Sequence, residues 1–355
     1  MIPISKPIIG EEEKKAVAAV LESGMLAQGP QVMALERRFS QLCQTKHAIA
    51  TSSGTTALHV ALLANKIGPS DEVITTPFTF IASVNAILHV GARAILVDIN
   101  DQTFNIDQAL IEAAITPRTK AIMPVHLYGY PCDMDPILEI AAQFDLSIVE
   151  DAAQAVGAEY KGRPVGSFGT ACFSLYATKN IMAGEGGMVT TNDDDVADRA
   201  RMIRSHGMRR RYYHDMMGYN FRMSDLHAAI GVVQMDRLEE STARRRANAA
   251  YLSANLQGVR LPTVKDGYAH VWHQYTVRVD GDRDAAVARL HAAGVGTGIF
   301  YPLPAHKQRH LAEMGYSDLV LPVAEKASRE VISLPIHPQL SRADLEKIVL
   351  AVNRL

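Results

Sequence analysis

Five short apolar runs, HAIA (47–50), EVITT (72–76), ARAILV (92–97), KAIMPV (120–125) and LSIVE (146–150), recur between segments of helical periodicity, and this alternation constrains the chain more than any other feature. Runs of this length, rich in β-branched residues, read as strands; strands alternating with helices read as βα units. Parallel strands need crossovers, so the expected core is a mostly parallel sheet covered by helices on both faces. The intervening segments 55–65, 80–90, 107–115 and 133–144 carry apolar residues at helical spacing, with Asp107 and Asp133 placed as caps. ACFSLY (171–176), the turn AGEGG (183–187) and MVTT (188–191) read as a hairpin-like return of the chain.

Helical patterns follow at 193–205 and 224–257. GVRLPTVKDGY (258–268) then mixes Gly, Pro and charge before a new strand pattern, which sets a boundary near 250–265 and divides the chain into residues 1–255 and 256–355. The second part reads as a smaller α/β domain with strands at 271–279 and 294–300 and helices at 283–293, 323–330 and 341–354. The first 45 residues, two helical patterns around SGMLAQGP (23–30), are expected to pack on the large domain as an arm.

A formal charge of -2 on 355 residues gives no field of one sign, which argues against nucleic acid or an acidic membrane as partner. Cys43, Cys132 and Cys172 have neither CxxC nor Cys/His ligand spacing, so no disulfide framework or metal site is indicated and a reducing cytoplasm is expected. MIPISKPIIGEEEKK lacks the pattern of a secretory signal, and no apolar stretch approaches the roughly 18 residues that span a bilayer.

In open α/β sheets, ligands bind beyond the carboxyl ends of the strands, where helix N-termini expose free amides. Three segments fall there. SSGTTAL (52–58) follows the first strand and opens a helix; its hydroxyls and the Gly54 backbone suit a phosphate, although Ser and Thr are also ordinary caps. LSIVEDAAQA (146–155) ends a strand in Glu150 and Asp151, which alternation directs to different faces without saying which is functional. FSLYATKNIMAGEGG (173–187) brings Lys179 to the same rim. Most lysines are solvated surface charges, whereas a partly buried one has a depressed pKa and becomes a nucleophile toward aldehydes.

Taken in order, SSGTTAL, PFTFIAS (77–83), PVHLYGYPCDMD (124–135), VEDAAQAVGAEYKG (149–162), FSLYATKNIMAGEGG and GYNFRMSDLHAAIG (218–231) resemble the DegT/DnrJ/EryC1/StrS aminotransferases. The match runs essentially end to end, including YPLPAHKQ (301–308) and SLPIHPQLS (333–341). The resemblance implies the α/β PLP-dependent transferase fold of type I, like aspartate aminotransferase: a large domain with a mostly parallel seven-stranded sheet, and a smaller C-terminal α/β domain. It implies that Lys179 carries pyridoxal 5'-phosphate (PLP) as a Schiff base and shuttles a proton, that Asp151 pairs with the ring nitrogen, that Gln154 approaches the phenolic oxygen and that Phe80 lies on the ring. Gly54, Thr55 and Ser174 would hold the phosphate together with Asn220 of the partner subunit, so the catalytic unit would be a homodimer. Tyr301, His306 and Tyr212 are the implied substrate-side residues.

The implied reaction is ping-pong transamination through pyridoxamine 5'-phosphate, from an amino donor, glutamate by family analogy, to a carbonyl acceptor, a keto-sugar attached to a nucleotide. ATKN keeps lysine where relatives that dehydrate carry histidine, which favours transamination; AHKQ (305–308) departs from a common Leu before the His and leaves specificity open. Three other readings compete. A nicotinamide oxidoreductase needs a glycine fingerprint after the first strand, and GEGG (184–187) and GVGTG (294–298) do not follow that pattern. A transaminase of the same fold acting on small amines, aldehydes or keto acids, or a PLP-binding regulator without catalysis, would share the site.

Overall fold

A computed structural model describes all residues, Met1–Leu355. Strands β1 (His47–Thr51), β2 (Glu72–Thr75), β3 (Arg93–Leu96), β4 (Thr119–Ile122), β5 (Ser147–Asp151), β6 (Thr170–Ser174) and β7 (Gly187–Thr191) form one sheet in the order β1-β7-β6-β5-β4-β2-β3. The five strands from β2 to β6 are parallel to their neighbours. β7 runs antiparallel to both β6 and β1, as the return through AGEGG requires.

Side chains alternate between the two faces with period two. Ile49, Cys172 and Val189 pack on one side with α3 (Gly54–Ala64), α4 (Ala82–His89) and α6 (Asp194–Arg204). Ala48, Ala50, Ala171, Phe173 and Met188 pack on the other, against α2 (Pro30–Cys43) and α7 (Asp225–Asp236). α5 (Met134–Gln143) covers that second face further along through Met134, Ile137 and Ala141. Strands buried on both faces explain why their sequences are continuous apolar runs.

The N-terminal arm consists of α1 (Glu11–Ser23) and α2, both packed on α7. The Asp225 carboxylate receives the amides of Gly29, Gln31 and Val32 and so caps α2 from a distant part of the chain. A separate core gathers Ile2, Ala249, Leu252, Trp272, Tyr275, Leu290, Ile332 and Ile348. α8 (Leu238–Asn255) therefore contributes its last turns to this core, immediately before the expected boundary at 255/256. No helix is long and apolar enough to cross a membrane.

Four local expectations are corrected. Residues 107–115 form two short 3-10 turns, Gln108–Leu110 and Glu112–Ala114; only Ile111 between them is fully buried, and Pro117 disfavours helix at the preceding residue. The pattern 224–257 is two helices that meet at Arg237, whose guanidinium reaches back to Glu12 and Glu13 of α1. No strand forms at 294–300, where only Val295 and Gly298 make isolated bridges, because Gly294, Gly296 and Gly298 leave little side chain to pack. The strand beside Tyr275–Arg278 is Val331–Leu334 instead, antiparallel and fully buried. Asp107 caps its turn through Ala109 N, whereas Asp133 accepts from Tyr160 Oη and caps nothing with its side chain.

Candidate active site

The carboxyl ends of β1, β2, β5 and β6 converge on a cavity of about 540 Å³ lined by Gly54, Thr55, Phe80, Asp151, Gln154, Ser174, Lys179 and Tyr301. Eight of the residues singled out in the sequence thus share one enclosure, although up to 247 positions separate them along the chain (301 − 54).

The choice between the two adjacent acids is made by the pleat of β5. Glu150 points to the α5 side and is fully buried; Oε1 accepts from Phe168 N (2.8 Å) and Gly169 N (3.2 Å), and Oε2 from Gly166 N (3.0 Å) and His126 Nε2 (3.2 Å). His126 Nδ1 accepts from Cys132 N, so its proton sits on Nε2 and is donated to Glu150. Glu150 therefore organises the 164–169 turn and has no free oxygen for a ligand.

Asp151 turns to the α4 side and faces the cavity. Its Oδ2 accepts from Ser83 Oγ at 2.6 Å and its Oδ1 from Ala153 N at 3.1 Å. Burial raises its pKa above the usual carboxylate value, against the lowering effect of those two donors, Lys179 and His126. A carboxylate in this position lacks a bound cation of its own, and a cationic ligand atom would supply one.

Lys179 lies in the turn after β6, its own N–H bonded to Tyr176 O. Burial pulls its amine down to about 8, and Asp151 opposes that shift. The amine is thus poised between acid and base close to neutrality, the property a nucleophilic lysine requires.

The third element is the N-terminus of α3. Ser53 caps it by accepting from Thr56 N, and its carbonyl receives Ala57 N, which leaves the amides of Gly54 and Thr55 for a ligand. A Cβ on Gly54 would lie 2.7 Å from Ser174 Cβ, so only glycine lets the helix end sit this close to β6. Gln154 is fixed from two sides, its Oε1 accepting from Tyr128 N (2.7 Å) and its Nε2 donating to Tyr301 Oη (3.1 Å). Phe80 lies exposed at the cavity wall with its ring centroid 6.2 Å from that of Tyr301.

Three expected residues lie elsewhere. Asn220 is exposed and outside the cavity of its own chain, in a bridge to Ser205. Tyr212 is 74 % exposed on a hairpin, beneath the Arg211 guanidinium. His306 is corrected: the 305–308 turn, fastened by Ala305 N to Pro77 O, buries the imidazole completely against Glu325 (3.0 Å), away from the cavity. The cavity wall also includes residues not singled out, among them Ser83, Glu185, His273 and Gln274. Ser83 sits within the PFTFIAS motif, one helical turn after Phe80, and was legible on that ground. His273 had no local signal.

A buried lysine amine with a lowered pKa, a buried carboxylate and a helix N-terminus with two unused amides fit PLP, which carries an aldehyde, a ring nitrogen and a phosphate. Fold and donor set together define a PLP-dependent transferase of fold type I. The chain belongs to the DegT/DnrJ/EryC1/StrS aminotransferase family, whose profile matches residues 7–353. It is 44% identical over 345 residues to the pleiotropic regulatory protein of Geobacillus stearothermophilus, covering 95% of this chain and 92% of the relative. It is 41% identical over 367 residues to GDP-perosamine synthase of Caulobacter vibrioides, covering 100% and 98%. The crystal structure of S. venezuelae DesV in complex with a ketimine intermediate superposes with a TM-score of 0.94 at 42% identity, covering 97% of this chain and 94% of that one. The protein is a PLP-dependent aminotransferase.

Proposed function

We propose that this enzyme moves an amino group from L-glutamate to a keto-sugar carried on a nucleotide, in two half-reactions with the deaminated donor released between them. The observation that carries the reading is the enclosure of Lys179 and Asp151 in one cavity with the bare helix end at Gly54. The sugar assignment is supported by GDP-perosamine synthase, alike over the whole chain, and the donor by family resemblance.

When bound, PLP supplies an electron sink for the carbon that loses or gains the amine. Lys179 would hold it through Nζ and would move a proton at the substrate carbon. Asp151 keeps the ring nitrogen protonated, gaining the cation its burial calls for. The Gly54 and Thr55 amides and Ser174 Oγ take the phosphate, Gln154 approaches the phenolic oxygen, and Phe80 covers the ring. Asn220 of the partner subunit completes the phosphate site in a homodimer, which accounts for an exposed asparagine whose side chain makes no hydrogen bond within its own chain. Tyr301, held by Gln154, faces the substrate.

Gly54→Ala is expected to weaken PLP affinity at least about tenfold, since the helix end must retreat from Ser174 and lose amide contacts with the phosphate, each charge-assisted bond being worth about 1.5–3 kcal/mol. Equilibrium dialysis measures it, and unchanged affinity would move the phosphate elsewhere. The substrate reading is tested by presenting the amine-loaded enzyme with nucleotide-linked keto-sugars, simple aldehydes and keto acids. Turnover of at least one nucleotide sugar in preference to the small carbonyls is expected; reaction with small carbonyls alone would replace the sugar by a small acceptor.

A second reading, a PLP-binding regulator without turnover, is favoured only by the name of the Geobacillus relative. Adding glutamate and following conversion of the cofactor to its amine form separates the two.

A further inference from the structure

Burial and charge conflict at Asp151. Its carboxylate is enclosed almost completely, and a charge so placed is costly unless hydrogen bonds replace the lost water. Two donors reach it. Ala153 N, two residues along the chain, holds Oδ1 at 3.1 Å. The other is Ser83 Oγ, 2.6 Å from Oδ2 and contributed by a segment 68 positions away.

Ser83 is itself 1 % exposed, and its hydroxyl has one proton for three oxygen neighbours. Asp151 Oδ2 lies at 2.6 Å, Thr79 Oγ1 at 2.8 Å and Phe80 O at 3.1 Å. The carboxylate is both the nearest and the charged one, so it takes the proton. Thr79 Oγ1 is left one role toward Ser83, that of donor. The two hydroxyls thus form a chain directed at the carboxylate, Thr79 to Ser83 to Oδ2, in which each bond polarises the next. Ser83 is also the second residue of α4, so Oδ2 is bonded within the first turn of a helix, where negative charge is favoured.

The other titratable groups facing Asp151 make no hydrogen bond to it. Lys179, from the turn after β6, and His126, from the turn after β4, favour its charge by their own, and Lys179 gives up its free amine to the cofactor. Cys172 of β6, Cys132 and Tyr301 are kept neutral by burial. Among the side chains, only Ser83 meets the carboxylate with a donor at bonding distance.

We propose that Ser83, oriented by Thr79, is a positioning residue that holds the negative charge on Asp151, so that the proton shared with the ring nitrogen of the cofactor stays on the nitrogen. This rests on Asp151 being the partner of that nitrogen. One proton lies between two bases, and no electron pair changes its atom otherwise. Without Ser83 the buried carboxylate is the stronger base and draws the proton back, leaving a neutral acid beside a neutral ring and a weaker electron sink.

The charge is read first in cofactor-free protein. Infrared difference spectra across a pH titration follow the protonated carboxyl band of Asp151, assigned by its loss in Asp151→Asn. A donor to the charged form lowers a carboxyl pKa, so its removal raises it. In Ser83→Ala the midpoint should therefore lie roughly one to two pH units above wild type, the size of one charge-assisted bond. Ser83→Thr keeps the hydroxyl and should restore most of the wild-type midpoint; Thr79→Val removes only the outer donor and should move it upward by less than S83A does. With PLP loaded, kcat in S83A should fall roughly tenfold, the equivalent of one such unit, and the loss should deepen as the pH is lowered. The donor KM should change by less than about twofold, as for a group that acts in the reaction and not in donor binding.

An unmoved midpoint in S83A overturns the proposal. A raised midpoint with wild-type kcat at every pH does so too, since the bond would then serve packing alone. If S83A does not fold, Thr79→Val carries the test, and a midpoint at the wild-type position overturns the chain of donors. Near-normal turnover in D151N would instead remove Asp151 from the ring nitrogen; that failure is distinct, because the S83A midpoint in cofactor-free protein would still be displaced.

Discussion

Lys179→Ala is expected to lose covalent PLP and to lower kcat by at least about a thousandfold, since a positioned proton-transfer group alone contributes about 10²–10⁴. Two roles disappear with one amine. No other lysine lines the cavity, so no neighbour replaces the nucleophile. PLP is expected to remain bound without the covalent link, because the helix end, Ser174 and Asp151 are untouched. A small added amine should restore part of the proton transfer, with the rate rising as the concentration of its free base rises. Steady-state kinetics and absorbance of the purified variant check this, and full activity would take the lysine out of the reaction.

Asp151→Asn is expected to cost at least about a hundredfold in kcat, the lower end of what a positioned acid-base or electrostatic group supplies. The amide is nearly the same shape, and Ser83 Oγ, also 2.8 Å from Thr79 Oγ1, can turn to donate or accept. The fold should therefore survive while the charge facing the ring nitrogen vanishes. Glu150→Gln makes the contrast. Four donors converge on the Glu150 oxygens, and an NH2 group in place of either oxygen faces two of them, Phe168 N and Gly169 N or Gly166 N and His126 Nε2. About 2–4 kcal/mol of stability should go, the scale of buried charge-assisted bonds left unmade, with near-normal turnover in the protein that folds. Thermal melts and kcat for both variants decide; a catalytic defect in E150Q with a normal D151N would exchange the roles.

The seven strands and their rim were legible because each strand is a short local run bounded by turn residues, and because βα alternation admits few sheets. Which of Glu150 and Asp151 faces the cavity was not, since alternation separates two adjacent side chains without naming the faces. Val331–Leu334 was hidden by the helical pattern that runs straight into it, and the 294–300 run was overvalued because its valine and isoleucine are interrupted by three glycines. His306 shows the limit of carrying a residue over by motif: the sequence placed the turn near the site, but Glu325, nineteen positions away, turns the ring inward. His273 meets Asn180 across 93 positions, and only the docking of 271–274 on the 127–129 turn brings it to Lys179. Such contacts depend on how two separately packed cores meet, which no local pattern encodes.

Loading the protein with PLP, reducing it with borohydride and mapping the peptides by mass spectrometry asks most directly which amine carries the cofactor. The expected product is a single phosphopyridoxyl group on Lys179. A label on any other lysine, or no stable label under conditions where PLP is bound, would contradict the assignment.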